Sequence, residues 1–330
     1  MDLRGLDLNL LVVLDALLTE KNVTHAGQRI HLSQSATSGA LARLRVFFHD
    51  ELLILTGRAM RLTPLAQSLV KPVRDIMLQI QATVAATAEF DPATAVRKFT
   101  IMGSDYVMTV LMPDVLQRLK NEAPGITFEL RQTANTHQDL LNRGEIDFVL
   151  MPDIFTTDDH PKEILFEDTH TCVVWNQNSL VGENISFEQY LAMGHVSMVF
   201  DHGRNPSFEE WFLKNFGYAR RIEIIVPAFT LIPAMIVGTN RIATLHTRLA
   251  QLYAKYLPLR LVQFPIEIPK LAEAMQWHKY QDLDPGCIWL RGILKETAER
   301  LQPLATSPKQ TKSRVGKAKR TSHNVSPRLS

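Results

Sequence analysis

The chain has 330 residues, room for two or three domains that each bury a core, and its 45% hydrophobic and 21% charged residues are those of an ordinary soluble globular protein. The net charge of +2 averages unlike parts, because residues 303–330 hold seven Lys/Arg and no acid, leaving −5 on the rest. Two cysteines, Cys172 and Cys287, stand 115 positions apart without metal-like spacing, and no run of 18 uncharged apolar residues occurs, which argues against a disulfide scaffold, a structural zinc site and a membrane span.

The opening stretch MDLRGLDLNLLVVLDALL mixes acids with apolar residues and has no small-residue cleavage site, so it is unlike a secretory signal and a cytoplasmic protein is expected. Asp7 is placed to cap a first helix whose Leu10, Leu11, Leu14, Leu17 and Leu18 recur at helical spacing. Thr24 is placed to cap a short second helix through Ile30, Leu32-Ser33 makes the turn, and a third helix runs to about Phe48. "ELLILTGRAMRL" then reads as a β-hairpin or wing, closing residues 1–62.

From Thr63 to about Thr87 the spacing predicts one long amphipathic helix with Pro64 at its first position and a stripe of Leu65, Leu69, Val73, Ile76, Ile80 and Val84. That stripe needs a cover, either a second copy of the helix or the chain's own core. The helix and its end fill residues 63–88, and residues 89–98, "EFDPATAVRK", read as a hinge. Over residues 99–302 strand candidates (FTIMGS, ITFELRQ, DFVLMP, TCVVW, HVSMVF, RIEIIVP, RIATL, LAEAMQW) alternate with helices such as Asp105–Asn121, Ser207–Phe216 and Pro285–Leu301. The pattern argues an α/β fold with largely parallel sheets, long enough for two lobes with a cleft between them. Residues 303–330 are a basic tail, read either as a solvated extension or as non-specific help in holding a polyanion.

The second and third helices have the size and spacing of a helix-turn-helix. In the third, Thr37, Leu41, Leu44 and Phe48 step along one face and should meet the core, while Gln34, Ser35, Ser38, Gly39, Ala42 and Arg45 fall on or near the other. Ser33 is the natural N-cap. A helix N-terminus suits a phosphate, glutamine reads an adenine edge, and small residues let the backbone approach a groove floor. The same small residues would also let another helix approach. The upstream helix and the basic hairpin favour DNA.

"NVTHAGQRIHLSQSATSGALARLR" resembles the N-terminal domain of the LysR-type transcriptional regulators. The family pattern of threonine, two small residues, leucine, Ser-Gln-Pro-Ala-x-Ser, an aliphatic and a leucine falls on Thr24, Ala26-Gly27, Ile30, Ser33-Gln34-Ser35-Ala36-x-Ser38, Leu41 and Leu44. "GLDLNLLVVLDALLTEKNVT" and "QWHKYQDLDPGCIWLR" (Gln276–Arg291) resemble the subgroup of nodulation regulators and regulators of aromatic or chlorinated-aromatic degradation. The resemblance covers residues 1 to about 302. It implies DNA contacts from Thr24, Ser33, Gln34, Ser35, Ser38 and Gly39, a minor-groove arginine at Arg58 and a phosphate contact at Arg61. Ser35 replaces the family proline and Gly39 a frequent arginine, so base readout would lean on Gln34, Ser35, the wing and DNA shape.

The resemblance further implies a winged helix-turn-helix, a linker helix and a C-terminal two-lobed fold similar to periplasmic solute-binding proteins. The chain would cross between lobes near Phe166 and return near Pro265. A small aromatic effector would then sit between strand ends and helix starts, with Ser104, Asp105, Pro152, His202 and Phe229 as first candidates. Ser104 or Asp105 could equally serve only to cap a helix, and Phe229 to fill a core. Trp277 reads as packing, with His278 a weaker candidate. The implied partners are promoter DNA, the effector, further copies of the chain as a homodimer or tetramer, and RNA polymerase. No cofactor, metal or membrane is called for. The sequence has no G-x-S-x-G, H-E-x-x-H, Walker loop or G-x-G-x-x-G, so an α/β enzyme with an N-terminal interaction domain is the weaker rival, as is a solute-binding or transport protein.

Overall fold

Every leucine of the N-terminal stripe turns inward. Leu10, Leu11, Leu14, Leu17 and Leu18 are buried on α1 (Asn9–Glu20), whose start is held by Asp7 Oδ1 accepting the Asn9 amide at 2.9 Å. The computed structural model describes residues 7, 9–57, 59–86, 89–200, 205–215 and 217–301. The second helix, α2 (Val23–Arg29), is capped by Asn22 and not by Thr24. Asn22 has extended backbone and its Oδ1 accepts the Thr24 and His25 amides at 2.9 and 3.1 Å, which places Thr24 two residues inside the cap. Helix α3 (Gln34–Phe48) buries Thr37, Ala40, Leu41 and Leu44 against α1, while Phe48 is only half-buried. Gly27 is required here, because a Cβ would lie 2.7 Å from Thr37 Oγ1 and 2.8 Å from the Leu32 carbonyl oxygen.

Strands β1 (Leu53–Thr56) and β2 (Ala59–Leu62) pair antiparallel, with Thr56 opposite Ala59, and form the wing. Thr63 Oγ1 then accepts the Ala66 amide at 3.1 Å, capping α4 (Pro64–Ala86) with Pro64 in its first turn. At 23 residues α4 spans about 35 Å. Its stripe has two fates: Val73 is buried and Leu69 half-buried against the N-terminal core, whereas Leu65, Ile76, Ile80 and Val84 are exposed.

Two α/β lobes follow. The first begins with β3 (Arg97–Gly103), α5 (Asp105–Glu122), β4 (Ile126–Gln132), α6 (His137–Asn142), β5 (Phe148–Pro152) and β6 (Lys162–Asp168). The second contains β7 (His170–Trp175), α7 (Phe187–Ala192), β8 (Gly194–Phe200), β9 (Asn205–Pro206), α8 (Phe208–Asn215), β10 (Arg221–Val226), α9 (Ile232–Ile236), β11 (Ile242–His246), α10 (Thr247–Ala254) and β12 (Leu259–Gln263). The chain returns to the first lobe through β13 (Leu271–Trp277) and ends in α11 (Pro285–Glu299). Strand order is β4-β3-β5-β13-β6 in one sheet and β10-β8-β11-β7-β12 in the other, with β9 pairing β8.

The sheets are mixed where largely parallel ones were expected. β3 is parallel to β4 and β5, and β8 to β10 and β11, but the strands that carry the chain between lobes run antiparallel to their neighbours. Strands that cross from one lobe to the other arrive against the direction of the βαβ units. The first crossing lies at Asp168–His170, just past the expected Phe166, which is in β6 opposite Glu273. The return, between Gln263 and Leu271, brackets the expected Pro265. Helices α5 and α11 cover one face of the first sheet, and α10 of the second lobe packs on α5 of the first.

Candidate nucleic-acid interface and effector cleft

Helix α3 presents its small residues outward. Ser33 is the N-cap, its Oγ accepting the Ala36 amide at 3.2 Å, and its hydroxyl lies 3.0 Å from that of Ser35. Gln34 Nε2 donates to Ser38 Oγ at 3.2 Å, so reading a base edge requires Gln34 to exchange that bond. Ser35, Gly39, Ala42, Arg43 and Val46 are exposed along one face, with Ser38 half-buried beside them. A Cβ at Gly39 would meet nothing within 4 Å among the described residues, so no packing within them demands glycine there. Thr24 is exposed in the first turn of α2, adjoining this face in sequence order only through the turn.

Arg45 does not belong to that outward face. Its Nε donates to the Glu51 carbonyl oxygen at 2.9 Å and pairs with the Glu51 carboxylate at 3.0 Å, and its Nη2 donates to the Leu53 carbonyl oxygen at 2.9 Å. The arginine thus ties the end of α3 to the start of the wing. Asp50 completes the knot, one oxygen accepting the Leu52 amide and the Thr63 hydroxyl, each at 2.6 Å. Two non-glycine residues sit at positive φ here, His49 at 52° and Leu52 at 60°, and this network holds them. The arginine that sequence reasoning passed over is Arg43, exposed and without hydrogen bond or ion pair among the described residues. Its spacing of four residues from Gly39, on the same helical face, is the signal the sequence offers.

The wing turns at Gly57, φ 65°. Arg58 follows it and lies outside the described residues. Arg61 is exposed on β2, opposite Ile54.

In the α/β part, β3 runs parallel to β5 in one sheet and β8 parallel to β10 and β11 in the other, so the carboxyl ends of each group lie along one edge of its sheet. Ser104 caps α5, accepting the Val107 amide at 3.3 Å, and is buried. Asp105 beside it reaches across to the second lobe, its Oδ2 accepting the Thr230 amide at 2.7 Å. Pro152 ends β5, half-buried opposite Glu273 of β13. Phe229 is buried, edge-on to His246 at 4.7 Å and to Phe200 at 5.9 Å. His202 lies outside the described residues. The structure therefore brings Asp105 and the Phe229–Thr230 turn together, with Ser104 beneath them.

Behind this line is a set of buried polar groups that sequence reading did not assemble. Tyr106 stacks on His246 at 3.7 Å, joining the lobes, and its hydroxyl donates to Asp168 Oδ2 at 2.6 Å. The Arg248 amide also reaches Asp168 Oδ2, at 3.3 Å, and the Thr169 and Thr247 hydroxyls meet at 2.8 Å. Burial, then the charge of Asp168, pushes the Glu273 carboxyl up to about 8, so it is largely protonated at neutral pH. Burial raises Asp168 too, against the hydrogen bonds it accepts from Tyr106 and two amides. Burial lowers His170 to about 4, and burial with the neighbouring His170 holds His246 well below the usual histidine range. Both imidazoles are neutral at pH 7.

Trp277 packs under the Arg291 guanidinium at 4.2 Å and donates to Asp282 at 3.0 Å, and His278 is buried beside His160 with ring centroids 4.6 Å apart. Neither side chain belongs to the cleft line just described. Cys172 and Cys287 are buried thiols whose ionisation burial opposes, unlike reactive thiolates. Among the described residues no group of three His, Cys, Asp or Glu is placed to hold a metal ion, and no helix is long and apolar enough to cross a membrane.

A capped recognition-type helix beside a two-stranded wing, joined by a long helix to two α/β lobes, defines a winged helix-turn-helix regulator with a ligand-binding type of fold behind it. Residues 8–67 match the bacterial regulatory helix-turn-helix protein, lysR family, and residues 93–299 match the LysR substrate binding domain. The chain belongs to the LysR family and is a transcriptional regulator, not an enzyme. It is 46% identical to Nodulation protein D 1 of Rhizobium tropici over 301 residues, covering 91% of this chain and 98% of that protein. It is likewise 46% identical to Nodulation protein D 1 of Rhizobium meliloti (strain 1021) over 303 residues, 92% of this chain and 98% of that one. Among solved structures, the regulatory domain of MexT, a transcriptional activator in Pseudomonas aeruginosa, is 27% identical with a TM-score of 0.55, covering 62% of this chain and 100% of that chain. Full-length OxyR from the same organism shares the fold, with a TM-score of 0.70 at 17% identity over 90% of this chain and 95% of that one.

Proposed function

We propose that the chain is a cytoplasmic activator that reads promoter DNA with Thr24, Ser33, Gln34, Ser35, Ser38, Gly39, Arg58 and Arg61 and responds to an aromatic or phenolic effector. The DNA assignment is supported by an α3 face exposed at Ser35, Gly39, Ala42, Arg43 and Val46, with open space above the glycine among the described residues. The effector would enter at Ser104, Asp105, Pro152, His202 and Phe229. The observation that carries this reading is the Asp105–Thr230 bond beside the Phe200–Phe229–His246–Tyr106 rings: a displaceable polar contact between the lobes lies next to an aromatic wall. An aromatic ring inserted there would replace ring–ring contacts with like contacts, and its differential affinity for one lobe arrangement would shift the population.

The divisions 1–62, 63–88, 89–98, 99–302 and 303–330 are proposed as DNA-binding head, linker, hinge, effector-binding unit and basic tail. Homodimerisation would cover the exposed Ile76, Ile80 and Val84 of α4, with a tetramer and contact to RNA polymerase as further steps at a promoter.

Two measurements test the proposal. A gel-shift with DNA upstream of the chain's own gene should show salt-sensitive binding that Arg58→Ala weakens by about 1–3 kcal/mol; unchanged affinity overturns the wing assignment. A thermal-shift screen against phenols, chlorinated aromatics, aromatic acids and flavonoids should show saturable stabilisation by an aromatic. Stabilisation by aliphatic acids alone overturns the effector class.

A further inference from the structure

Arg74 of α4 touches the DNA-binding head and the effector-binding unit at once. Its Nη1 pairs with Asp15 Oδ2 of α1 at 2.7 Å, both side chains being only 13% and 12% exposed, and its Nε donates to the carbonyl oxygen of Arg143. Arg143 caps the end of α6, and Gly144 follows it at φ 63°. One turn further along α4, Leu78 is buried directly on that turn: a Cβ on Gly144 would lie 2.5 Å from Leu78 Cδ2. Lys71 and Asp75, on the same face of α4, form an ion pair at 2.9 Å and act on the charge of the His160–His278 pair beside the Lys279–Gln281 turn. Residues 71, 74, 75 and 78 thus make one helical stripe seated on the effector-binding unit.

What lies at either end of this contact gives it a use. The Arg143–Gly144 turn leads into β5, whose five residues span about 17 Å and end at Pro152, at the cleft. Asp15 lies on α1, whose neighbouring Leu14, Leu17 and Leu18 belong to the core that holds Leu41 and Leu44 of α3. We propose that Arg74 is the coupling residue of the protein: a shift of the Arg143–Gly144 turn moves the guanidinium, and the guanidinium moves α1 and with it the DNA-reading helix. A planar guanidinium with donors on two edges serves two partners at fixed geometry, which an ammonium does not. Because the pair is largely buried, separating the two charges is costly, so a moving guanidinium carries Asp15 with it. The inference rests on the reading of the chain as an effector-gated DNA-binding protein.

Coupling is reciprocal, so it is testable without the effector. Hydrogen exchange is followed on the full chain with and without DNA from upstream of its own gene. In the wild type, DNA should change exchange over residues 140–146 by several-fold, although these lie in the effector-binding unit. In Arg74→Gln and in Arg74→Lys the DNA should still bind within about threefold, with α1 protected, while residues 140–146 no longer respond. Arg74→Lys retains the charge beside Asp15 and guards against a variant that merely fails to fold. A turn that responds to DNA equally in the wild type and both variants overturns the proposal, as does a wild-type turn indifferent to bound DNA. Absence of DNA binding by the wild type overturns the underlying DNA reading instead.

Discussion

Asp105 and Thr230, 125 residues apart and on opposite lobes, share one hydrogen bond of 2.7 Å from the Thr230 amide to the Asp105 carboxylate. A charged acceptor on a backbone donor is worth about 1.5–3 kcal/mol. Asp105→Ala should therefore raise exchange of the Thr230 amide by about tenfold or more, with little change at Val107, whose amide is held by Ser104. Equal protection of Thr230 in the variant would show that Asp105 does not hold that amide.

Gly39 occupies the middle of an exposed helix with nothing within 4 Å of the missing Cβ. Alanine there should stabilise the fold by about 0.5–1 kcal/mol through helix propensity. Denaturant titration reads the gain, and a gel-shift on the same variant reads its cost to DNA binding. A stabilised variant with weakened binding identifies a position where backbone approach matters more than helix strength.

Arg43 and Arg45 look alike in the sequence and should behave oppositely. Arg43→Ala should leave the unfolding midpoint in place and reduce the salt slope of DNA binding by about 1, as loss of a phosphate contact does. Arg45→Ala removes donors to two carbonyl groups at the start of the wing and should cost about 1 kcal/mol of stability, its partly exposed site limiting the effect. Gel-shift salt titration and urea unfolding separate the two.

Glu273 is held up at about 8 from an ordinary 4.5 by burial and by Asp168. The folded chain keeps a proton that the unfolded chain releases, so this group's contribution is full below about 4.5, falls as pH rises and is lost above about 8. Glu273→Gln carries no proton to lose. Its stability relative to the wild type should rise steadily from pH 5 to pH 8, as read by urea unfolding at each pH. The histidines near 4, His170 and His278, act in the opposite direction on acidification, but equally in both proteins.

Exposed-edge strands account for much of what a linear reading passes over. β6 and β12 stand at the ends of their sheets and mix charge with apolar residues, so neither shows the apolar run that revealed β3, β5 and β11. Asn22 and Thr24 are both good capping residues two positions apart, and the backbone angle at Asn22, not composition, selects between them. Arg45 turns inward because the carbonyl groups of residues 51 and 53 come within its reach only after the chain reverses at His49.

What the amino-acid order determined alone is whatever rests on neighbours within a turn or two: the Ser33, Thr63 and Ser104 caps, the buried stripe of α1, the two faces of α3 and the run of α4. These depend on hydrogen bonds over three residues and on helical period, both of which are local. Tertiary structure alone decided the direction of the crossing strands, the meeting of Asp105 with Thr230, the proton held on Glu273 and the seat of Arg74 between Asp15 and Arg143. Each of those depends on groups from distant segments sharing a low-dielectric interior, where burial and a single partner set position and charge.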